Sequence, residues 1–383
     1  MPSTKGDMLL KNARIVLADD VLKGSILVRD GLIVDIGGET ALAEAVDLEG
    51  DYLIPGLVEL HTDHLEGHYA PRPKVRWNPI AAVLAHDAQL AASGITTVFD
   101  ALRIGTDEDA EMGADDMRQL ADAIEDGVRE DRLRADHYIH LRCEVSAPDC
   151  LEGFEQFLDD PKVRMVSLMD HAPGQRQFRN LDTYRTYYQG KLKMPEDVFQ
   201  RFCQRRMAQS AENSPGNRAR IAELCHEQSI VLASHDDATI AHVDEARAQG
   251  IRIAEFPTTV EAASASRDAG MAVLMGAPNI VRGGSHSGNV AAGELARTGL
   301  LDILSSDYIP FSLIHSAFNL ERMVDGITLP QAIAMVSKKP AEATGLPDRG
   351  EIAIGRRADL VRVRVDHEVP VVRKVWREGL RVI

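Results

Sequence analysis

Leu57-Val-Glu-Leu-His-Thr-Asp63 is the stretch on which the fold turns. A short apolar run passes without a break into imidazole, hydroxyl and carboxylate. Read as a strand, its period of two puts His61 and Asp63 on one face. Glu66 and His68 follow closely, so five potential ligands, His61, Asp63, His64, Glu66 and His68, fall within eight residues. Imidazole and carboxylate on one face suit a divalent cation such as zinc or manganese. His64 is expected to point away or to belong to the loop. Such residues at the end of one strand become a site only if other strands end beside it.

Seven further runs meet that condition. Thr96–Asp100, His137–Glu144, Val163–Met169, Ser229–Ser234, Ile251–Glu255, Ala272–Met275 and Leu301–Leu304 read as buried strands. Helical spacing separates them, as in Met112–Arg129, Gly216–Gln228 and Asp237–Gln249. Strands alternating with helices imply parallel βα units. Eight such units close most naturally into a (β/α)8 barrel, a TIM-like α/β fold whose mouth lies at the C-terminal ends of the strands. An open doubly wound sheet has the same pattern.

Outside this middle the chain is β-rich. Met8–Leu17, Gly24–Asp30 and Gly31–Gly37 read as strands, with Asp30-Gly31 as a hairpin turn. Ala358–Val365 and Val369–Val375 read alike at the other end. Both termini are therefore expected to form one small β-sandwich domain. The divisions expected are 1–55 and 341–383 for the sandwich and 56–340 for the barrel.

Composition narrows the function. With 43 basic against 59 acidic residues in 383, the net charge is −16, which disfavours nucleic acid and anionic membranes as partners. An anionic small molecule stays compatible, because a metal and a few arginines reverse a local potential. The four cysteines form no CxxC pair, no run of about 18 apolar residues occurs, and Met1 to Lys11 lack an apolar signal core. Reduced thiols and a cytoplasmic setting are expected. Gly-x-Ser-x-Gly and Walker-type signatures are absent, which argues against a serine hydrolase and a P-loop enzyme.

Acidic and imidazole side chains recur at the other strand ends: Glu144, Asp170-His171, His235-Asp236-Asp237, Glu255 and Asp307. A lone acid there caps a helix more often than it binds a metal, and Asp237 reads that way. Their joint occurrence points to a cation, since clustered carboxylates repel one another without one. Asp307 is the expected catalytic residue, taking a proton from metal-activated water and passing it to the leaving group. Two loops face the same mouth. Ala172-Pro-Gly-Gln-Arg-Gln-Phe178 offers Gln175 and Arg176. Asn279-Ile-Val-Arg-Gly-Gly-Ser-His-Ser-Gly-Asn289 offers Arg282, Ser285, His286 and Asn289. Arginine forks and glycine-rich backbone amides suit phosphate oxygens, although glycine–serine loops are also common connectors. Lys338-Lys339 reads as the basic last turn of a helix over Leu329–Val336.

Leu53-Ile-Pro-Gly-Leu-Val-Glu-Leu-His-Thr-Asp63, Lys339-Pro-Ala-Glu-Ala-Thr-Gly-Leu346 and Arg349-Gly-Glu-Ile-Ala-Ile-Gly-Arg-Arg-Ala-Asp-Leu-Val361 resemble the signatures of the amidohydrolase superfamily. His61-Thr-Asp-His-Leu-Glu66, Asp170–Phe178, Glu255-Phe-Pro-Thr-Thr-Val-Glu-Ala262 and Arg282–Asn289 more closely resemble the α-D-ribose 1-methylphosphonate 5-triphosphate diphosphatase family of the carbon–phosphorus lyase pathway. The resemblance implies water attack at the α-phosphorus, with release of diphosphate. It also implies one or two divalent ions, Zn2+ or Mn2+, held by His61, Asp63, Glu144, His235, Glu255 and Asp307. His171, Gln175, Arg176, Arg282, Ser285, His286 and Asn289 would then bind substrate. Asp63 stands where the superfamily usually has a second histidine, and Glu255 where it often has one on strand six. No lysine ends strand four, so Glu144 would serve as the bridging ligand. The partner implied is a small phosphorylated sugar, with a homodimer as the assembly considered. The competing readings are an amidohydrolase acting on a cyclic amide or N-acyl group, and a barrel scaffold that has lost its metal.

Overall fold

A computed structural model describes residues 6–38, 42, 44–106, 112–176, 184–185, 188, 194–285 and 288–383. The N-terminal segment forms β1 (Met8–Val16), β2 (Val21–Arg29), β3 (Leu32–Ile36), β4 (Val46–Asp47) and β5 (Tyr52–Pro55). These join β14 (Leu360–Asp366), β15 (Val369–Arg377) and β16 (Leu380–Arg381) in one mixed eight-stranded sheet. The two ends of the chain are linked by the antiparallel pairing of β5 with β14, Leu53 opposite Arg362, and by a bridge between Leu32 and Arg357. The second layer expected of a sandwich is thus a continuation of the same sheet. Register shifts at Leu10/Ala13, Leu27/Val28 and Arg362/Val363 mark the irregular positions at which such a sheet bends. Leu10, Ile15, Ile26, Ile33, Leu53, Leu360 and Trp376 share its core.

The remaining eight strands are β6 (Leu57–Thr62), β7 (Ile95–Ile104), β8 (Asp136–Glu144), β9 (Val163–Met169), β10 (Val231–His235), β11 (Ile253–Glu255), β12 (Ala272–Gly276) and β13 (Ile303–Ser305). They pair in sequence order, every neighbour parallel. The ends meet through an isolated bridge between Thr62 and Asp307. Two backbone bonds complete the seam, from Asp63 N to Asp307 O at 3.0 Å and from Asp307 N to His61 O at 3.1 Å. Buried Glu59 spans the same seam, accepting from the amides of His61 at 2.7 Å and Ser306 at 2.6 Å. Burial pushes its carboxyl up to about 7. The lumen is filled by Val58, Leu60, Phe99, Met165, Ala233, Ile253, Leu274 and Ile303, so it is a packed core and the site must lie above it.

Among the described residues, helices α1 (His64–Tyr69), α2 (Pro79–Ala92), α3 (Ala114–Arg129), α4 (Cys150–Glu155), α5 (Glu196–Glu227), α6 (Ile240–Ala248) and α7 (Val260–Asp268) are followed by five more. These are α8 (Ala277–Arg282), α9 (Ala292–Arg297), α10 (Ser312–Met323), α11 (Leu329–Ala334) and α12 (Lys338–Ala343). Three expectations need correction. The helix expected from Gly216 begins at Glu196 and continues through Pro215. Its two halves are tied to the barrel by Ser210 and Ser214, each 2.7 Å from Asp170 Oδ2, and by Asn213 and Asn217 on the carbonyls of residues 145–147. The cap of α6 is Thr239, whose hydroxyl accepts from the His242 amide, and not Asp237. Lys338 and Lys339 open α12 rather than closing α11, and pair with Glu351 at 2.7 Å and Asp302 at 3.4 Å.

Candidate metal and phosphate site

A cavity of about 430 Å³ opens at the C-terminal ends of the barrel strands. Its floor is lined by His61, Asp63, His171, His235, Asp236 and Asp307, from four different strand ends. Closure of the barrel brings together residues that lie up to 246 positions apart (307 − 61). The β6–β7 register shifts between Glu59 and Thr62, a bulge that re-aims the last residues of β6.

Two groups of candidate ligand atoms emerge. His61 and Asp63 approach to 3.8 Å (Nε2 to Oδ1) and form one group with Asp307. His171 Nε2 and His235 Nε2 lie 3.7 and 3.5 Å from Asp236 Oδ2 and form the other. That Asp236 oxygen is buried and has no hydrogen-bond partner. A buried carboxylate oxygen facing two imidazole nitrogens without a bonded donor fits a cation between them.

Second carboxylates fix the imidazole orientations. Glu255, buried below, has its two oxygens 3.2 Å from Nδ1 of His61 and Nδ1 of His235. A carboxylate only accepts, so the protons sit on Nδ1 and the Nε2 lone pairs face the cavity. Burial opposes ionisation of Glu255, but the adjacent imidazoles hold its pKa well below the usual carboxylate range. Glu144 treats His171 in the same way, at 2.7 Å from Nδ1. It also accepts from Ser146 Oγ and the His171 amide. Burial again opposes ionisation, and the charge of His171 outweighs it, so the Glu144 pKa is lowered. Glu144 and Glu255, both expected among the ligands, therefore stand behind the imidazoles and do not line the cavity. Glu255 does form a close group with His61 and His235.

Strain collects at this rim. Asp236, Phe256 and Asp307 are non-glycine residues with φ of 58°, 52° and 56°. Each conformation costs on the order of 1–3 kcal/mol, and a phenylalanine there is unusual. All three face the cavity. Burial raises the carboxyl pKa of Asp307 above its ordinary value, and Asp63 adds to the effect. Glu66, also in the wall, is pushed up to about 7 by burial and by Asp63.

The lining is also cationic. Arg103, Arg142 and Arg282 belong to it, with Ser285 and Asn289. Arg142 bonds Asp63 at 2.6 Å. Gly283 closes α8 in the left-handed conformation (φ 82°), so the chain turns back over the cavity at Gly284 and Ser285. His286 lies outside the described residues. Arg176 corrects a further expectation. It is 4% exposed, ion-paired with Asp237 and, at 2.6 Å, with Glu245, and does not line the cavity. Gln175 is exposed and outside the lining too. Asp170 is held by Ser210 and Ser214, away from the ligand groups.

The sequence reading offers neither Arg103 nor Arg142 as a site residue, and names Asp236 only as one of the strand-end acids. Period two on β8 would have flagged Arg142, which shares a face with His140 and Glu144. Asp236 is marked by its place at a strand end, but period two turns it from the face of His235; its backbone at φ 58° goes with a side chain that lines the cavity.

Residues 198–383 match the Amidohydrolase family. The chain is 50% identical to the alpha-D-ribose 1-methylphosphonate 5-triphosphate diphosphatase of Escherichia coli (strain K12), over 98% of this chain and 100% of that protein. It is 24% identical to the imidazolonepropionase of Mesorhizobium japonicum over 91% and 90%. Among solved structures it resembles a putative prolidase from Bifidobacterium longum (TM-score 0.67, 16% identity, 99% and 95% covered). It also resembles N-acetylglucosamine-6-phosphate deacetylase from Pasteurella multocida (TM-score 0.64, 15% identity, 98% and 99% covered). At those identities the structural likeness speaks for the barrel fold alone. The extent and level of identity to the Escherichia coli protein mean that this chain belongs to the alpha-D-ribose 1-methylphosphonate 5-triphosphate diphosphatase family, within the amidohydrolases.

Proposed function

We propose that the protein hydrolyses α-D-ribose 1-methylphosphonate 5-triphosphate to the 5-phosphate and diphosphate, a step in phosphonate breakdown. The observation that carries this reading is the cavity itself. In a chain of net charge −16, three arginines line the same cavity as a cluster of imidazoles and carboxylates. A lining of that kind suits a polyanion held against a cation centre.

His61, Asp63 and Asp307 would hold one divalent ion and His171, His235 and Asp236 another, with Zn2+ or Mn2+ suiting the mixed donors. Such an ion supplies Lewis acidity, acidifying water and offsetting phosphoryl charge. The chain's own residues do the rest. Arg103 and Arg282 orient the triphosphate, aided by Ser285 and Asn289. Asp307, with its raised pKa, accepts a proton from the attacking water. The new bond joins water oxygen to the α-phosphorus, and the bond from that phosphorus to the β-bridging oxygen breaks. The proton passes from Asp307 to the departing diphosphate. Glu144 and Glu255 keep the imidazoles in the ligating tautomer throughout.

Turnover in 18O-labelled water, followed by 31P NMR, tests the reading. The label is expected in the sugar 5-phosphate, with one pyrophosphate released per cycle. Label in the pyrophosphate would move the attack to the β-phosphorus. No pyrophosphate, with ready hydrolysis of a cyclic amide, would replace this reading with that of an ordinary amidohydrolase.

A further inference from the structure

A second imidazole cluster lies behind the mouth, between α1 and α2. His64 and His68 are four residues apart on α1 and share a face. His86 comes from α2 and is fully buried. The ring centroids are 4.8, 5.8 and 6.1 Å apart, and one nitrogen from each ring lies within 4.8 Å of the other two. None of the three lines the cavity.

His86 Nε2 lies 2.8 Å from Asp100 Oδ1. Since a carboxylate accepts, the proton is on Nε2 and the Nδ1 lone pair points the other way. His68 is hydrogen-bonded by the side chain of Gln89. His64 Nδ1, His68 Nε2 and His86 Nδ1 are all buried and meet no hydrogen-bond partner. Three such nitrogens in one place would repel as cations and leave three unsatisfied acceptors as neutral rings. A transition-metal ion satisfies all three. Tetrahedral zinc with nitrogen at about 2.1 Å sets three imidazole centroids about 5 Å apart, close to the spacing found. Asp100 behind His86 completes the carboxylate–imidazole relay common at such sites.

We infer that His64, His68 and His86 bind a divalent transition ion, zinc by donor type, with solvent in the fourth position. Its role is structural. α1 follows Asp63 directly and carries Glu66, so a cross-link to α2 fixes that edge of the mouth.

The test is an anomalous-difference map at the zinc edge on the full-length protein, stripped of metal and returned to micromolar Zn2+. Metal analysis of wild type and of the His64→Gln/His68→Gln double variant accompanies it. The expected result is a peak between α1 and α2, separate from those at the cavity floor, and one zinc equivalent fewer in the variant. The inference fails if the α1–α2 position stays blank while the floor fills, if it fills only at millimolar zinc, or if the stoichiometry is unchanged. The wild-type map decides alone if the variant does not fold.

Discussion

Arg176→Met separates a phosphate-binding arginine from a buried structural one. The guanidinium is 4% exposed and pairs with Asp237, which is fully buried, and with Glu245. Removing it strands the Asp237 carboxylate, whose second oxygen already lacks a partner. Breaking a buried pair from one side costs about 3–5 kcal/mol. Two details favour the lower end. Glu245 is exposed, so its half of the interaction contributes little. Arg218, buried close by with both Nη atoms unpartnered, supplies positive charge that offsets part of the loss. A loss of about 3 kcal/mol in a chain of this length lowers Tm by roughly 5 °C. KM for the triphosphate should stay within about threefold, because Arg176 is outside the cavity. Arg282→Met should do the reverse, raising KM about 10–100-fold for a lost charge-assisted bond, with Tm unchanged. Differential scanning fluorimetry and steady-state pyrophosphate release measure both. A tenfold rise in KM for Arg176→Met at unchanged Tm would refute the reasoning. Arg176→Met/Asp237→Leu should recover most of the lost stability, since no buried charge is then left alone.

His137 sits between Asp100 at 2.7 Å and Asp87 at 3.3 Å; burial opposes its charge, but Asp100 outweighs burial and pushes its pKa up to about 9. A raised folded-state pKa means stability fully present below about pH 6.5 and lost as pH rises through about 9, on the order of 3 kcal/mol; the urea-unfolding gap between wild type and His137→Gln should shrink by about that amount from pH 6.5 to 9.5, and a pH-independent gap would sink the claim. Glu144→Gln should weaken metal affinity about 10–100-fold in a chelator competition while the far-UV spectrum is kept; loss of a whole metal equivalent would instead make Glu144 a direct ligand. Asp307→Asn should lower kcat by about 10²–10⁴; a near-normal kcat would remove Asp307 as the proton acceptor.

The barrel was legible because its signal is local and repeated. Each buried parallel strand reads as a short apolar run, and most end in a polar residue that cannot continue into the lumen. His61, Asp63, His171, His235 and Asp307 were found by that rule, and all line the floor. Glu144 and Glu255 were found by it too, but strand position does not say whether a carboxylate meets the ion or the far nitrogen of an imidazole. That depends on depth, and depth is set by how neighbouring strands stagger.

What the residue order determined alone was the alternation of elements, the rim at which polar side chains collect, and the glycine-rich turn after α8. Tertiary structure alone decided three matters. It turned Arg176 inward, because Asp237 and Glu245, about 60 and 70 residues further along, close on it in the fold. It kept α5 continuous past Pro215, because bonds from Ser210, Asn213, Ser214 and Asn217 to the barrel hold both halves of the helix in line. It brought His86 to His64 and His68, about 20 residues away, so that one nitrogen of each ring lies within 4.8 Å of the other two. In each case the deciding partner is distant in sequence, and local pattern carries no information about contacts that only chain closure creates.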